Sequence, residues 1–220
     1  GLADPDPLVR AAAIAALGPF APGQRVPLVA PLLGDKVPAV RVAAARSLAE
    51  YADAWATRGV RAWEERWWEL AGDVGNRVAR IIGAPAGSVS MHENVTTASA
   101  VALSCLRPDG RRRRIVCTEM DFPSMVYLYR AQEALGFELK IVPALDDLSV
   151  PGERVASAID DRTCVVALSH VLFRSSYIVD PAPVIERAHQ VGAVVILDGY
   201  QSAGIVPVDV ATMGVDFFVG

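Results

Sequence analysis

The sequence lacks most of the features that would assign it at a glance. It holds three cysteines, Cys105, Cys117 and Cys164. The number is odd, and no pair has the spacing of a metal or dithiol site, so a disulfide framework and a zinc ribbon are excluded. All three lie in apolar segments and read as reduced core residues. No apolar run is long enough to cross a bilayer, and no secretory leader is present. These absences predict a cytoplasmic protein with no membrane partner. Positive charge is not in excess: 21 Lys and Arg stand against 25 Asp and Glu, a formal net charge of −4. Nucleic acid is therefore a poor partner as well. The one basic run, Arg111 to Arg114, reads first as a solvated turn ahead of a strand and second as a phosphate-binding patch. No Gly-x-Gly-x-x-Gly or phosphate-loop pattern follows a strand, which counts against a nucleotide-binding enzyme. Lysine is nearly missing, with only Lys36 and Lys140.

What is present is core material in two styles. The chain has 220 residues, 52% apolar and 21% charged, enough for one large domain or two small ones. Residues 1–47 repeat themselves. Asp4-Pro5-Asp6-Pro7-Leu8-Val9-Arg10-Ala11-Ala12-Ala13 recurs as Asp35-Lys36-Val37-Pro38-Ala39-Val40-Arg41-Val42-Ala43-Ala44, and Leu17 maps to Leu48 at the same offset. Each copy offers an aspartate cap, a first-turn proline and an alanine-rich amphipathic helix. Residues 24–33 read as a second helix, ended by Gly34. A fixed period of this size marks a helical solenoid, and the pattern resembles HEAT repeats. It implies either a docking surface or a plain helical extension.

From Leu48 to Gly220 the style changes. Leu48–Leu70 reads as helical and carries Trp55, Trp63, Trp67 and Trp68, a stripe that suits a core or a dimer contact better than a cofactor. Asp73–Ile82 reads as another helix. Strands are expected near Ser88–Met91, then at Ile115–Thr118, Glu138–Val142, Cys164–Ser169, Ala193–Leu197 and Phe217–Val219. Helices are expected at Thr96–Leu106, Ser124–Leu135, Glu153–Ile159 and Ala182–Val191. Regular alternation of this kind implies an α/β fold, a mostly parallel sheet with helices on both faces.

The chemistry-bearing residues gather at strand ends. Asp198 closes an apolar strand, where open α/β sheets bind ligands, and Gln201 follows three residues on. Ser169 and His170 end the preceding strand. Phe122 lies in an aromatic-Pro-Ser turn with Pro123 and Ser124, beyond a third strand, where a flat ligand would explain an aromatic. Asn94-Val95-Thr96-Thr97 opens a helix, and the free N–H groups there form an anion site. Each has an ordinary reading alone: a helix cap, a loop aromatic folded onto the core, a satisfied core imidazole. Their joint order is that of a site for pyridoxal 5'-phosphate (PLP). PLP needs N–H donors for its phosphate, a flat partner for its ring, an acid at the pyridine nitrogen and a donor at the 3-oxygen.

These segments resemble the class V aminotransferase superfamily of fold type I PLP enzymes, closest to its kynureninase-like and isopenicillin-epimerase-like members. The segments are Ser88 to Thr96, Phe122-Pro123-Ser124, Ser169-His170-Val171 and Asp198 to Gly204, with Val215 to Gly220 like the strand that leads to the family's lysine segment. The resemblance implies that Val95 and Thr96 bind the phosphate and Phe122 stacks on the ring. Ser124 and Ser169 complete the polar contacts, Asp198 pairs with the pyridinium, and Gln201 reaches the 3-oxygen. It also implies an amino-acid substrate and a homodimer. Kynureninases carry an acid where Met125 stands and a histidine where Gln201 stands. Glutamine there is typical of the desulfurase and epimerase branches. The family's cofactor-bearing lysine falls beyond Gly220, and neither Lys36 nor Lys140 matches it. The expectation is an incomplete PLP-binding large domain over residues 48–220, inactive as it stands, behind a HEAT-like segment over residues 1–47. Lyase, hydrolase, epimerase and transaminase chemistry all stay open. The alternative is a non-catalytic interaction protein that uses the HEAT-like helices.

Overall fold

Proline opens the helix of each repeat copy, but the expected aspartate cap forms only in the first: the helix from Pro38 is preceded by Val37, which makes no side-chain cap hydrogen bond. The computed structural model describes residues 1–17 and 22–220, apart from the side chains of residues 22–25 and 66. They form two compact units, one of residues 1–79 with 86–91, the other of residues 80–85 with 92–220.

In the helical unit, α1 (Pro7–Ala16) is capped by the Asp6 carboxylate, which accepts the Leu8 N–H at 2.8 Å. Then come α2 (Pro22–Val29), a tight 3-10 turn (Ala30–Gly34) and α3 (Pro38–Arg58), which runs unbroken through residues 47 and 48. Ile14, Val29, Val40 and Ala44 form a small buried core, and the repeat equivalents Leu17 and Leu48 both pack against it. Helical continuity expected over Leu48–Leu70 stops at Gly59. That glycine adopts φ +52, a conformation side chains oppose. A wide π-type turn (Trp63–Trp67) then leads into α4 (Trp68–Ile82). The Trp67 ring lies parallel to Trp55 and edge-on to Trp63, with centroids 6.2 and 5.5 Å apart. The tryptophans thus cluster with one another. The strand expected at Ser88–Met91 does not form. This segment lies instead along α4, so close that a Cβ at Gly75 would collide with the Val89 carbonyl.

The second unit runs α5 (Val95–Ser104), β1 (Arg114–Thr118), α6 (Pro123–Ala131), β2 (Glu138–Val142), α7 (Gly152–Ala156), β3 (Thr163–Ser169), α8 (Ala182–Val191), β4 (Val194–Asp198), α9 (Val210–Met213) and β5 (Phe217–Val219). The five strands lie in the order β2-β1-β3-β4-β5, every pair parallel. Side-chain parity divides the core. Ile115, Cys117, Val165, Ala167 and Ile196 pack with Ala102, Leu103, Met125 and Tyr129 of α5 and α6. Val116, Val166, Leu168, Val195 and Leu197 pack with Val155 of α7 and Val184, Ile185 and Ala188 of α8. Helices therefore cover both faces, as the right-handed crossover rule demands. The chain leaves β1 toward β2 and leaves β3 toward β4, in opposite directions, so the strand order reverses between β1 and β3. Ligands bind at such a switch point, outside the carboxyl ends of the strands.

Two sequence expectations need correction or choice here. Cys105 is exposed, because it follows the last turn of α5, while Cys117 is buried. The basic run pairs with acids: Arg111 with Asp161, Arg113 with Glu138, and Arg114 with both Glu138 and Asp160. These pairs sit at the amino end of β1, away from the carboxyl edge.

Candidate functional site

Parity aims the strand-end residues. Ser169 continues the Ala167 side of β3, and Asp198 continues the Ile196 side of β4; the two are register partners. Both are buried, and both face the side of the sheet that α5 and α6 cover. Asp198 accepts the Tyr200 N–H at 2.9 Å. Burial raises its pKa above the usual carboxylate value, with that hydrogen bond acting in the opposite direction. The turn after it is tightly built. A Cβ at Gly199 would run into the Phe218 ring. The Gly199 N–H donates to the Val219 carbonyl at 2.6 Å and the Ser202 N–H to the Gly199 carbonyl at 2.9 Å. Ser202 is fully buried; Gln201 beside it is exposed and makes no hydrogen bond among the described residues.

The helices bring their own groups to this edge. Asn94 caps α5 by accepting the Thr97 N–H at 2.9 Å. The other first-turn N–H groups of a helix have no intrahelical acceptor, and the helix dipole there favours an anion. Val95 is half-buried and packs on the core that α5 shares with the sheet. The Thr96 and Ser124 hydroxyls are hydrogen-bonded at 2.9 Å, which ties the start of α5 to the start of α6. Phe122 stands at the cap position of α6, 47% exposed. Its ring meets Phe173 edge-on, with centroids 5.1 Å apart. So the structure joins Thr96 directly to Ser124, and Ser169 to Asp198 in register, all on one face. Phe122 touches an aromatic partner from the loop after β3, and Gln201 touches none of the others.

Sequence reasoning passed over two residues. Phe173 carries the same signal as Phe122, an aromatic on a loop beyond a strand end. Asp121 is buried and accepts the Thr118 N–H and the Ser169 N–H, both at 2.7 Å. It bridges β1 to β3 across the switch point, directly before Phe122. Burial pushes its pKa up to about 6, against the pull of those two N–H donors. The Tyr129 hydroxyl is held well above its ordinary range by burial first, then by the charges of Asp121 and Asp198. His170 is buried, and its Nδ1 has no hydrogen-bond partner. Burial lowers its pKa, which leaves the imidazole neutral at pH 7.

Among the described residues no His, Cys, Asp and Glu cluster could hold a metal ion. No helix among them is long and apolar enough to cross a membrane.

Comparison with known proteins gives two matches that overlap over residues 36–63. Residues 36–220 match the aminotransferase class-V family, and residues 1–63 match HEAT repeats. The chain is 32% identical over 197 residues to a kynureninase of Pseudomonas fluorescens, covering 85% of this chain and 46% of that protein. It is 30% identical over 171 residues to an uncharacterized aminotransferase of Bacillus subtilis, covering 78% and 45%. The chain thus spans about half the length of the curated relatives it matches. Among solved structures, a mutant of C-DES with glycine covalently linked to its PLP cofactor superposes with a TM-score of 0.67 at 20% identity, over 78% of this chain and 46% of that one. A cysteine desulfurase of Escherichia coli superposes with a TM-score of 0.56 at 19% identity, over 94% and 46%. By its match over most of its length, the chain belongs to the aminotransferase class-V family.

Proposed function

We propose that the carboxyl edge of this sheet is the cofactor-holding part of a PLP-dependent enzyme that acts on an amino acid. One observation carries the reading: Asp198, Ser169 and the hydrogen-bonded Thr96–Ser124 pair share the α5/α6 face at the carboxyl edge. The donor set fits PLP. An anion suits the start of α5, where Val95 and Thr96 offer N–H groups and Thr96 and Ser124 add hydroxyls. A flat ring suits Phe122, which is 47% exposed. A buried carboxylate suits a protonated pyridine nitrogen, because low local dielectric strengthens the attraction between them.

When bound, PLP supplies an electron sink for negative charge at the substrate α-carbon. The chain's own residues set the conditions for that. Asp198 holds the proton on the ring nitrogen. Thr96, Ser124 and the first N–H groups of α5 fix the phosphate end, and Phe122 fixes the plane of the ring. Asp121 keeps the Phe122 turn anchored to β3. Gln201 lies on the turn beside Asp198 and is proposed to reach the 3-oxygen by a side-chain rotation. Lys140 does not serve this edge, since it donates to the Ala158 carbonyl at 2.8 Å.

Two residues argue against kynurenine hydrolysis. Where an acid is expected, the Met125 side chain is buried in the core beneath Thr96, 3.8 Å from its hydroxyl. Where a histidine is expected stands Gln201. A homodimer across this edge belongs to the same proposal, supported by the exposed Phe122, Tyr200 and Ile205.

Equilibrium dialysis tests the reading. The chain is expected to retain PLP over pyridoxal. Asp198→Asn should weaken retention of both by about tenfold, the value of a lost charge-assisted contact. Thr96→Ala should weaken PLP and leave pyridoxal unchanged. Equal retention by the parent and the Asp198→Asn variant would sink the proposal.

A further inference from the structure

We propose that the tryptophan-lined hollow of the helical unit binds a small free zwitterion whose cation is a quaternary ammonium, of the glycine betaine type. The inference is independent of the PLP reading, because every residue it uses lies within residues 55–68 of the helical unit.

The bend between α3 and α4 leaves apolar surface uncovered. Gly59 ends α3 at φ +52, and the chain then makes the π-type turn at Trp63–Trp67. Turns of this kind are rare and frequently mark functional sites. An ion pair between Arg58 and Glu65 ties the two sides of the bend together. On it lies a hollow of about 640 Å³, lined by Val60, Arg61, Trp63, Glu64 and Trp68. That is the size of a small-molecule site. The Trp63 and Trp68 rings are inclined at 52°, with centroids 5.2 Å apart, whereas Trp55 and Trp67 stack nearly parallel. Trp68 is 71% exposed and Val60 76%.

The lining selects the ligand. It carries one cation, Arg61, and one anion, Glu64, while the ion pair of this bend joins two other residues, Arg58 and Glu65. A zwitterion complements both charges. Indole faces attract cations, and quaternary ammonium groups are the ligands that aromatic sites characteristically take. An ordinary ammonium brings three N–H donors. Glu64 is the one carboxylate of the lining among the described residues, and donors turned unpaired toward indole cost free energy. A quaternary ammonium has no donor to leave unpaired. Its methyl groups would lie against Trp63 and Trp68, its positive centre beside Glu64, and its carboxylate on Arg61.

Ligand-observed NMR titrations of the full chain test this, with glycine betaine as the probe. Saturable binding is expected. Glycine, which keeps the carboxylate on an ordinary ammonium, should bind about tenfold more weakly, and so should tert-butylacetate, which has the same shape without the positive charge. Trp68→Ala should weaken glycine betaine about tenfold, and Trp68→Phe, which retains an aromatic face, much less. Trp68 is exposed, so neither change should alter the far-UV spectrum. Arg61→Ala should weaken glycine betaine and leave tetramethylammonium, which has no carboxylate, unchanged. Absence of saturable binding, equal binding of glycine or tert-butylacetate, or a Trp68→Ala variant that binds like the parent would overturn the proposal. Flotation with phosphatidylcholine vesicles covers the other source of a quaternary ammonium, a lipid headgroup. Retention on those vesicles that Trp68→Ala abolishes would assign the hollow to a bilayer and would also overturn it.

Discussion

Asp121 shows how much one carboxylate can organise. Its two oxygens accept backbone N–H groups from the last residue of β1 and from the last residue of β3. It closes the gap where the strand order reverses and fixes the start of the Phe122 turn. Its folded pKa, about 6, lies above the ordinary value of 3.8, so the folded state binds this proton more tightly than the unfolded state. Linkage then sets the sign: this group's contribution to stability is most favourable below pH 3.8 and declines as pH rises to about 6. Urea midpoints taken at intervals across that window check it. Subtracting the Asp121→Asn profile from the parent profile should leave a difference that falls with rising pH and is flat above about 6. The variant should also bind PLP more weakly, through a looser Phe122 turn. The role of Asp121 was not legible beforehand for a physical reason. Its partners are main-chain N–H groups, which every sequence supplies, so no residue pattern announces them. The positions of Asp198, Ser169 and Thr96 at strand ends and a helix start were legible because such ends can be located from apolar runs and caps.

Elements were legible in proportion to their burial. Strands β1, β3, β4 and β5 are mainly apolar runs because both faces of a parallel sheet are covered, whereas β2, at the sheet edge, carries Glu138 and Lys140 and is largely unburied. Ser88–Met91 misleads because alternation alone does not make a strand; a ladder partner is also needed. Here the segment is drawn instead onto the glycine notch of α4. Gly75→Ala places a methyl group against the Val89 carbonyl and is expected to destabilise the helical unit by about 1–3 kcal/mol, the usual cost of overpacking. Thermal melts followed by circular dichroism measure that. Gly59 misleads for a similar reason. Good helix formers flank it, yet α3 ends there on a positive φ. In the second unit, Gly199→Ala should force the turn after β4 off the Phe218 ring. Because that turn carries Asp198 and Gln201, PLP retention should fall severalfold while the far-UV spectrum keeps its shape. An Ala variant that binds like the parent would show that the turn tolerates displacement.

The whole molecule joins a helical-repeat unit to a class V sheet, and ligand effects should respect that division. Hydrogen exchange with and without PLP is the measurement. Protection is expected at residues 94–97, 121–124 and 198–202, with none at residues 1–17. At PLP concentrations about a hundredfold above its Kd, the sheet unit should gain about 2.7 kcal/mol. Protection confined to the helical unit would contradict the assignment of the cofactor edge.

The all-parallel strand order has a kinetic consequence. Every strand pair of this sheet is parallel, so none of its ladders is a hairpin, and β1 gains both neighbours only after β2 and β3 have been brought back through crossovers. Large loops must close before any rung pays back their entropy. The helical unit closes over a single repeat. In stopped-flow refolding the helix signal should therefore rise first, with the sheet arriving late, and during synthesis the β3 side of β1 must stay unpaired until β3 has left the ribosome.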